Sequence, residues 1–273
     1  MSLNGKVCIV TGASAGIGRA YTLALAAEGA TVIAAARTAG VPADASAQPT
    51  GLAEVVQAGV GLPGAVHAKV CDVESEADIV RLIDEVVAEH RRIDVLVNNA
   101  GIYTHYDSLG ISSADWDRYV RVNLRGPWLT MKYAAPHMVR QGGGSIVNMT
   151  SAVAVTSSAA VPSGHHDLMH YAVTKAALNR MSTHLSEDMR PHRVAVNALS
   201  PGFVLTDTYV SVDPVASAAA REDGRGKPPA PEVMGPPLIY LAQLCEPEPD
   251  QVFVTGQVLH HDQFRKSWPA VSD

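Results

Sequence analysis

Short runs of β-branched and small apolar residues alternate along this chain with longer segments whose apolar residues recur at helical spacing. Lys6–Val10 has the length and composition of a strand buried on both faces. Arg19–Glu28, rich in Ala and Leu and free of proline, reads as a helix that stops at Gly29. The pattern then repeats. Further strands are predicted at 31–36, 65–70, 94–97, 145–149, 193–199 and 252–259, and helices around 52–58, 74–90, 112–140, 168–189 and 232–244. Within 74–90, Ile79, Leu82, Ile83, Val86 and Val87 share one face, and acidic residues occupy the first turn. Residues 112–140 read as one long helix that Pro127 should bend or open. Such alternation requires a parallel sheet with helices on both faces. The expectation is one α/β, doubly wound domain over residues 1–273, with ligands at the carboxyl ends of the strands.

The first strand meets the first helix at Thr11-Gly12-Ala13-Ser14-Ala15-Gly16-Ile17-Gly18. Strand, glycine turn and helix in that order make a site for dinucleotide phosphates. Gly12 permits the tight turn, Gly16 has no Cβ to bar a pyrophosphate, and Gly18 lets helix and strand approach closely. The helix N-terminus adds unpaired N–H groups and partial positive charge. A plain βα turn is the alternative. A P-loop is not, because Arg19 and Ala20 stand where Lys and Ser/Thr are required.

Composition narrows the partners. The 273 residues are 47% hydrophobic and 18% charged, ordinary for a globular protein, and the net charge is −6. That charge, with no Lys/Arg run, argues against nucleic acid. No apolar run approaches membrane-spanning length, and since Met1 leads straight into the first strand, no signal segment is expected. A cytoplasmic location away from membranes is expected. Cys8, Cys71 and Cys245 are scattered and read as reduced, buried thiols, with no metal spacing among them.

Strand ends carry the candidate chemistry. Asp72 could accept from an adenine amino group or cap the next helix, and Asn98-Asn99-Ala100-Gly101 is a turn that also lets backbone approach a ligand. Tyr171 and Lys175, four apart, lie on one helix face. They are either a surface pair or a proton-transfer couple whose ammonium draws a phenol pKa of about 10 toward working pH. Ser151, after the fifth strand, could hold the same substrate oxygen.

In this order, Thr11–Gly18, Asp72, Asn98–Gly101, Asn123, Ser151, Tyr171-x-x-x-Lys175 and Pro201–Thr206 resemble the short-chain dehydrogenase/reductase family in its compact single-domain branch. The likeness spans nearly the whole chain. It implies a Rossmann-like fold of about seven strands and an NAD(P)-dependent oxidoreductase, usually a homotetramer or homodimer. By the same resemblance, Tyr171 is the catalytic acid/base and Ser151 polarises the substrate oxygen. Lys175 binds the nicotinamide ribose and lowers the tyrosine pKa, while Asn123 holds a relay water. Cofactor contacts are implied for Gly12, Ser14, Ala15, Gly16, Ile17 and Gly18, for Asp72, Val73, Asn99, Ala100 and Gly101, and for Pro201, Gly202, Val204 and Thr206, besides Tyr171 and Lys175. Asn123 could instead mark a helix kink, and Thr206 a helix cap.

The choice of cofactor turns on the end of the second strand, where NAD sites usually carry an acid for the ribose 2′-hydroxyl. Ala36 would not repel a 2′-phosphate, Arg37 can bind one in two-pronged fashion, and Thr38 adds a hydroxyl. NADP is favoured, with NAD possible if Arg37 is only a surface residue. Ser151 and Tyr171 are 20 positions apart, longer than the family pattern. His165, His166 and His170 in the extra stretch are open to three readings: metal ligands, an additional acid/base, or part of a solvated polar loop. His260-His261-Asp262-Gln263 replaces the family's acidic-glycine ending. Residues 203–230 read as a substrate lid. Walls at 103–109, 152–170 and 203–227 suggest a partly apolar carbonyl or alcohol substrate. Two other functions stay open: an NAD-dependent alcohol or sugar dehydrogenase, and a non-catalytic nucleotide-binding scaffold.

Overall fold

The computed structural model describes residues 2–40, 51–155, 168–202, 204, 206, 229–246 and 252–268. Its strands are β1 (Val7–Thr11), β2 (Thr31–Ala36), β3 (Ala65–Val70), β4 (Val95–Asn98), β5 (Gly144–Met149), β6 (Val194–Ser200) and β7 (Val258–His260). They form one parallel sheet in the order β3-β2-β1-β4-β5-β6-β7. The direction in which successive strands are added reverses between β1 and β4, paired in the register Cys8↔Val95 to Val10↔Val97. In open sheets of this kind, ligands bind at that switch point.

Strand side chains alternate strictly between two cores. Cys8, Val10, Val32, Ala34, Val95, Val97, Val147 and Leu199 face α1 (Gly16–Ala27) and α7 (Gly235–Gln243), where they meet Tyr21, Leu25, Leu238 and Leu241. Val7, Ile9, Ile33, Ala35, Leu96, Ile146, Val194 and Val196 face α3 (Glu76–His90) and α5 (Gly126–Gln141) on the other side. The remaining helices are α2 (Gly51–Ala58), α4 (Ser113–Val120) and α6 (Met169–Met189). Ser75 caps α3 by accepting from the Asp78 N–H, and Ser112 caps α4 by accepting from the Asp115 N–H.

Three expectations need correction. The long helix over 112–140 is broken into α4, a π turn at Arg121–Arg125, and α5. Pro127 brings no N–H to the carbonyls four and five residues upstream, and one wider turn accommodates that loss. Gly126 also packs so tightly on Val73 that a Cβ there would lie 3.0 Å from the Val73 carbonyl oxygen. The last strand is only Val258–His260, because Gly256 turns into the left-handed region at φ +75°. The helix expected over 232–244 opens instead as a 3₁₀ turn at Pro231–Met234 before α7. The unusual His260 ending is packed nonetheless: Trp268 donates to the His260 carbonyl at 2.8 Å and meets Phe264 and Tyr240 edge-on.

Candidate active site

The glycine turn and the Asn98–Gly101 turn lie side by side because β1 and β4 are neighbours. The Thr11 hydroxyl, buried at their crossing, accepts from the Asn99 and Ala100 N–H groups at 3.1 Å each and donates to the Val97 carbonyl at 3.3 Å. The Asn99 amide donates to the Thr11 and Gly12 carbonyls at 3.0 and 3.2 Å. Glycine is required at two of these points. Gly12 has φ +65° and would set a Cβ 2.7 Å from the Ala100 Cα, while a Cβ on Gly18 would strike the Gly12 carbonyl oxygen and the Asn99 side chain. The α1 N-terminus has no side-chain cap and no acidic residue in its first turn. Its N–H groups and positive dipole end therefore remain for an anion.

A cleft of about 700 Å³ opens along this edge. Its lining includes Gly12, Ser14, Ala15, Gly16, Ile17, Gly18, Arg37, Thr38, Asp72 and Val73. Asn99, Ala100, Gly101, Tyr171, Lys175, Pro201 and Thr206 complete the predicted set found there. Thr206 reaches over the glycine turn, its Cγ2 3.4 Å from where a Cβ on Gly16 would be. Ala36 closes β2, and Arg37 and Thr38 follow it as exposed residues. Asn123, Ser151, Gly202 and Val204 are not among the lining residues. Gly202 turns at φ +62° against His261, and Val204 is buried beside the sheet. His165, His166, Phe203, Leu205 and most of the expected lid lie outside the described residues.

Tyr171 and Lys175 sit in the first turns of α6, which packs along β6. The Lys175 ammonium donates to the Met149 carbonyl at the end of β5, at 2.7 Å, and lies 5.6 Å from the Tyr171 ring centroid. Ser151 hydrogen-bonds Tyr171. Tyr171 keeps part of its surface toward the cleft, yet protein crowds its phenol. Burial pushes its pKa up to about 12, with the Ser151 hydrogen bond pulling the other way. The same burial draws Lys175 down to about 8. Desolvation thus works against ionisation of both groups, in the direction opposite to the lowering of the tyrosine that the Tyr171–Lys175 spacing suggests.

Asn123 is fully buried in the π turn, and its side-chain amide is committed to Ile102, accepting from its N–H at 2.8 Å and donating to its carbonyl at 3.0 Å. Asn123 Oδ1 and Lys175 Nζ nevertheless flank the same point, 3.3 and 3.7 Å from where a Cβ on Gly101 would stand. His170 is tied to the Thr104 carbonyl at 3.0 Å, and no cluster of metal-ligating side chains occurs among the described residues. Tyr103, Tyr106, Arg118 and Tyr119 also line the cleft. In the sequence, Tyr119 reads only as an apolar helix position. Its place one turn before Asn123 is the signal that could have found it.

Comparison with known proteins agrees with this geometry. Residues 6–215 match the family model for short chain dehydrogenases. The chain is 35% identical over 263 residues to the 3-oxoacyl-[acyl-carrier-protein] reductase FabG of Thermotoga maritima, covering 96% of this chain and 98% of that protein. It is 31% identical to the 2-dehydro-3-deoxy-D-gluconate 5-dehydrogenase of Escherichia coli, over 88% and 89% of the two chains. Among solved structures, a candidate NAD(P)-dependent gluconate 5-dehydrogenase from Beutenbergia cavernae with NADP bound at low occupancy superposes with a TM-score of 0.79 at 30% identity, covering 95% and 96%. Fold, turn glycines, the Ser–Tyr–Lys constellation and these likenesses lead to one assignment: the chain belongs to the short-chain dehydrogenase/reductase family.

Proposed function

We propose that this protein is an NADP(H)-dependent oxidoreductase that interconverts a partly apolar carbonyl compound and its alcohol. The observation that carries the reading is the meeting of Ser151, Tyr171 and Lys175 at the end of β5, where Tyr171 and Lys175 line the cleft onto which the uncapped α1 N-terminus opens. The glycine turn, open at Gly16, fits a pyrophosphate, with Ser14, Ala15 and Ile17 beside it and Thr206 across from it. Asp72 and Val73 would meet the adenine end, and Asn99–Gly101, Pro201, Gly202 and Val204 would support the nicotinamide end. Arg37 and Thr38 would hold a 2′-phosphate, and no acid at Ala36 opposes it. When bound, NADP(H) supplies or accepts the hydride.

The chain's own residues handle the proton. Tyr171 holds its proton at neutral pH and donates it to the substrate oxygen in the reductive direction, while Ser151 steadies that oxygen by hydrogen bond. Lys175, fixed by the Met149 carbonyl, binds the nicotinamide ribose and lies on the return path for the proton, with Asn123 across Gly101. The protein works as a homodimer or homotetramer, a reading supported by an apolar groove of about 470 Å³ on α4–α6, lined by Val120, Leu124, Trp128, Ala177 and Met181.

The test is calorimetric titration of NADPH and NADH into wild type, Arg37→Ala and Tyr171→Phe, with turnover followed on a panel of carbonyl compounds. NADPH is expected to bind at least about tenfold tighter than NADH, and Arg37→Ala to erase the difference. Tyr171→Phe should lose turnover by about a thousandfold or more and keep its NADPH affinity. Tighter NADH binding would replace the reading with an NAD-linked alcohol dehydrogenase, and binding of neither nucleotide would favour a scaffold.

A further inference from the structure

The segment after β4 is tied down by three buried side chains from three different helical elements. Asn123 takes both backbone groups of Ile102, as described above. Two residues on, the Thr104 carbonyl meets His170 Nε2 at 3.0 Å and accepts from the Tyr119 hydroxyl at 3.3 Å. A carbonyl only accepts, so Nε2 carries the imidazole proton. His170 is 1% exposed and lies edge-on to Tyr119 and Tyr106, with ring centroids 4.3 and 5.3 Å away. Between the tied residues, Tyr103 sets its ring 5.3 Å from Tyr171 at an interplanar angle of 86°, and its hydroxyl stands 3.0 Å from His105 Nε2. Tyr103, Tyr106 and Tyr119 line the cleft together with Tyr171. The residue directly before the proposed acid therefore fixes the wall against which a substrate must lie.

We infer, resting on the oxidoreductase reading, that His170 is a positioning residue holding an aromatic wall that selects a flat, uncharged ring carbonyl over an open-chain one. Tyrosine rings at these spacings favour another aromatic edge or face beyond simple burial. Charge recognition has less to work with. Among the described residues the cleft's cations are Arg37 at the 2′-phosphate end, Lys175 on the Met149 carbonyl, and Arg118, which pairs with Glu74 at 3.5 Å. Asp115, also lining the cleft, would repel an anionic substrate.

The test is calorimetric titration of 1-phenylethanol, 1-cyclohexylethanol and 2-octanol, of matched carbon count, with and without NADP⁺. The phenyl alcohol should bind tightest, by about 2- to 10-fold for each tyrosine ring it packs against. His170→Phe keeps a ring against Tyr106 and Tyr119 but removes the N–H. It should weaken 1-phenylethanol about tenfold and leave 2-octanol and NADP⁺ within about twofold. His170→Gln restores a donor and should recover most of the loss, which a purely structural role would not predict. Tyr103→Leu should abolish the phenyl preference without touching His170. Equal affinities for the three alcohols in wild type, or equal weakening of all three by His170→Phe, would overturn the inference. Failure of NADP⁺ to bind would count against the oxidoreductase reading instead, and the titrations without it still read the wall.

Discussion

Replacing Thr11 with Val keeps the side chain's shape and deletes the hydroxyl that joins β1 to β4. That hydroxyl belongs to a residue only 2% exposed and serves three partners: the Asn99 N–H, the Ala100 N–H and the Val97 carbonyl. The losses are unequal. The Asn99 N–H also faces the Val97 carbonyl at 3.1 Å and keeps that partner, so it forfeits only a shared bond, about 0.5–1.5 kcal/mol. The Ala100 N–H loses the acceptor it has in Thr11, at about 1–3 kcal/mol. The sum is about 1.5–4.5 kcal/mol, toward the lower end because Ala100 is only half-buried and water can partly compensate. Thr11→Ser is the control: it keeps the hydroxyl and removes one methyl, for about 1 kcal/mol. Urea unfolding should show a lower midpoint for the Val variant with an unchanged slope. NADPH affinity should fall with it, since Gly12 and Asn99 lose their common support. A Val variant within about 0.5 kcal/mol of wild type, or no worse than the Ser variant, would refute the reasoning.

Two further outcomes follow from the same geometry. Burial holds Lys175 near 8, so between that pH and the ordinary lysine value the folded protein binds fewer protons than the unfolded chain, and stability rises with pH across the window. Lys175→Met should remove that rise from urea midpoints measured at intervals from pH 7.5 to about 10; an unchanged pH profile in the variant would mean the ammonium is not desolvated. Trp128, 46% exposed in the apolar groove, should carry much of a subunit contact. Trp128→Glu should shift sedimentation toward the monomer, and a wild type already monomeric would sink the groove's proposed role.

The parallel sheet and most strand bounds were legible in the sequence because β1, β2, β4, β5 and β6 are buried on both faces and read as mostly apolar runs, whereas β3 at the sheet edge is largely exposed. The glycine turn and the Tyr171–Lys175 pair were legible because the residues that make each motif lie within eight positions of one another. What escaped was long-range and polar. Asn98, read as part of a ligand turn, instead donates to Asn148 at 2.8 Å, and Asn148 donates to Ser182 of α6 at 2.9 Å. Thr130 of α5 closes the other end by donating to Asn98 at 2.6 Å. This buried chain fixes α6, and with it Tyr171, relative to β4 and β5, but its members are far apart in sequence. His170 was open to the same error: its partner, Thr104, lies 66 residues upstream, and nothing local separates it from a loop histidine.

The proton chemistry shows why placement matters more than residue identity. On sequence alone, a lysine four residues from a tyrosine argues for an acidified phenol. In the folded chain the ammonium is spent on the Met149 carbonyl, and what dominates both groups is the loss of water. Desolvation raises the phenol pKa and lowers the ammonium pKa, so burial favours the neutral form of each group from opposite sides without neutralising the lysine at pH 7. Tyr171 then keeps its proton at neutral pH, with little phenolate present, and Lys175 releases its proton more easily than a surface lysine. In the proposed reaction, the neutral phenol is the form that protonates a carbonyl oxygen, and taking a proton from an alcohol requires the phenolate, which burial disfavours.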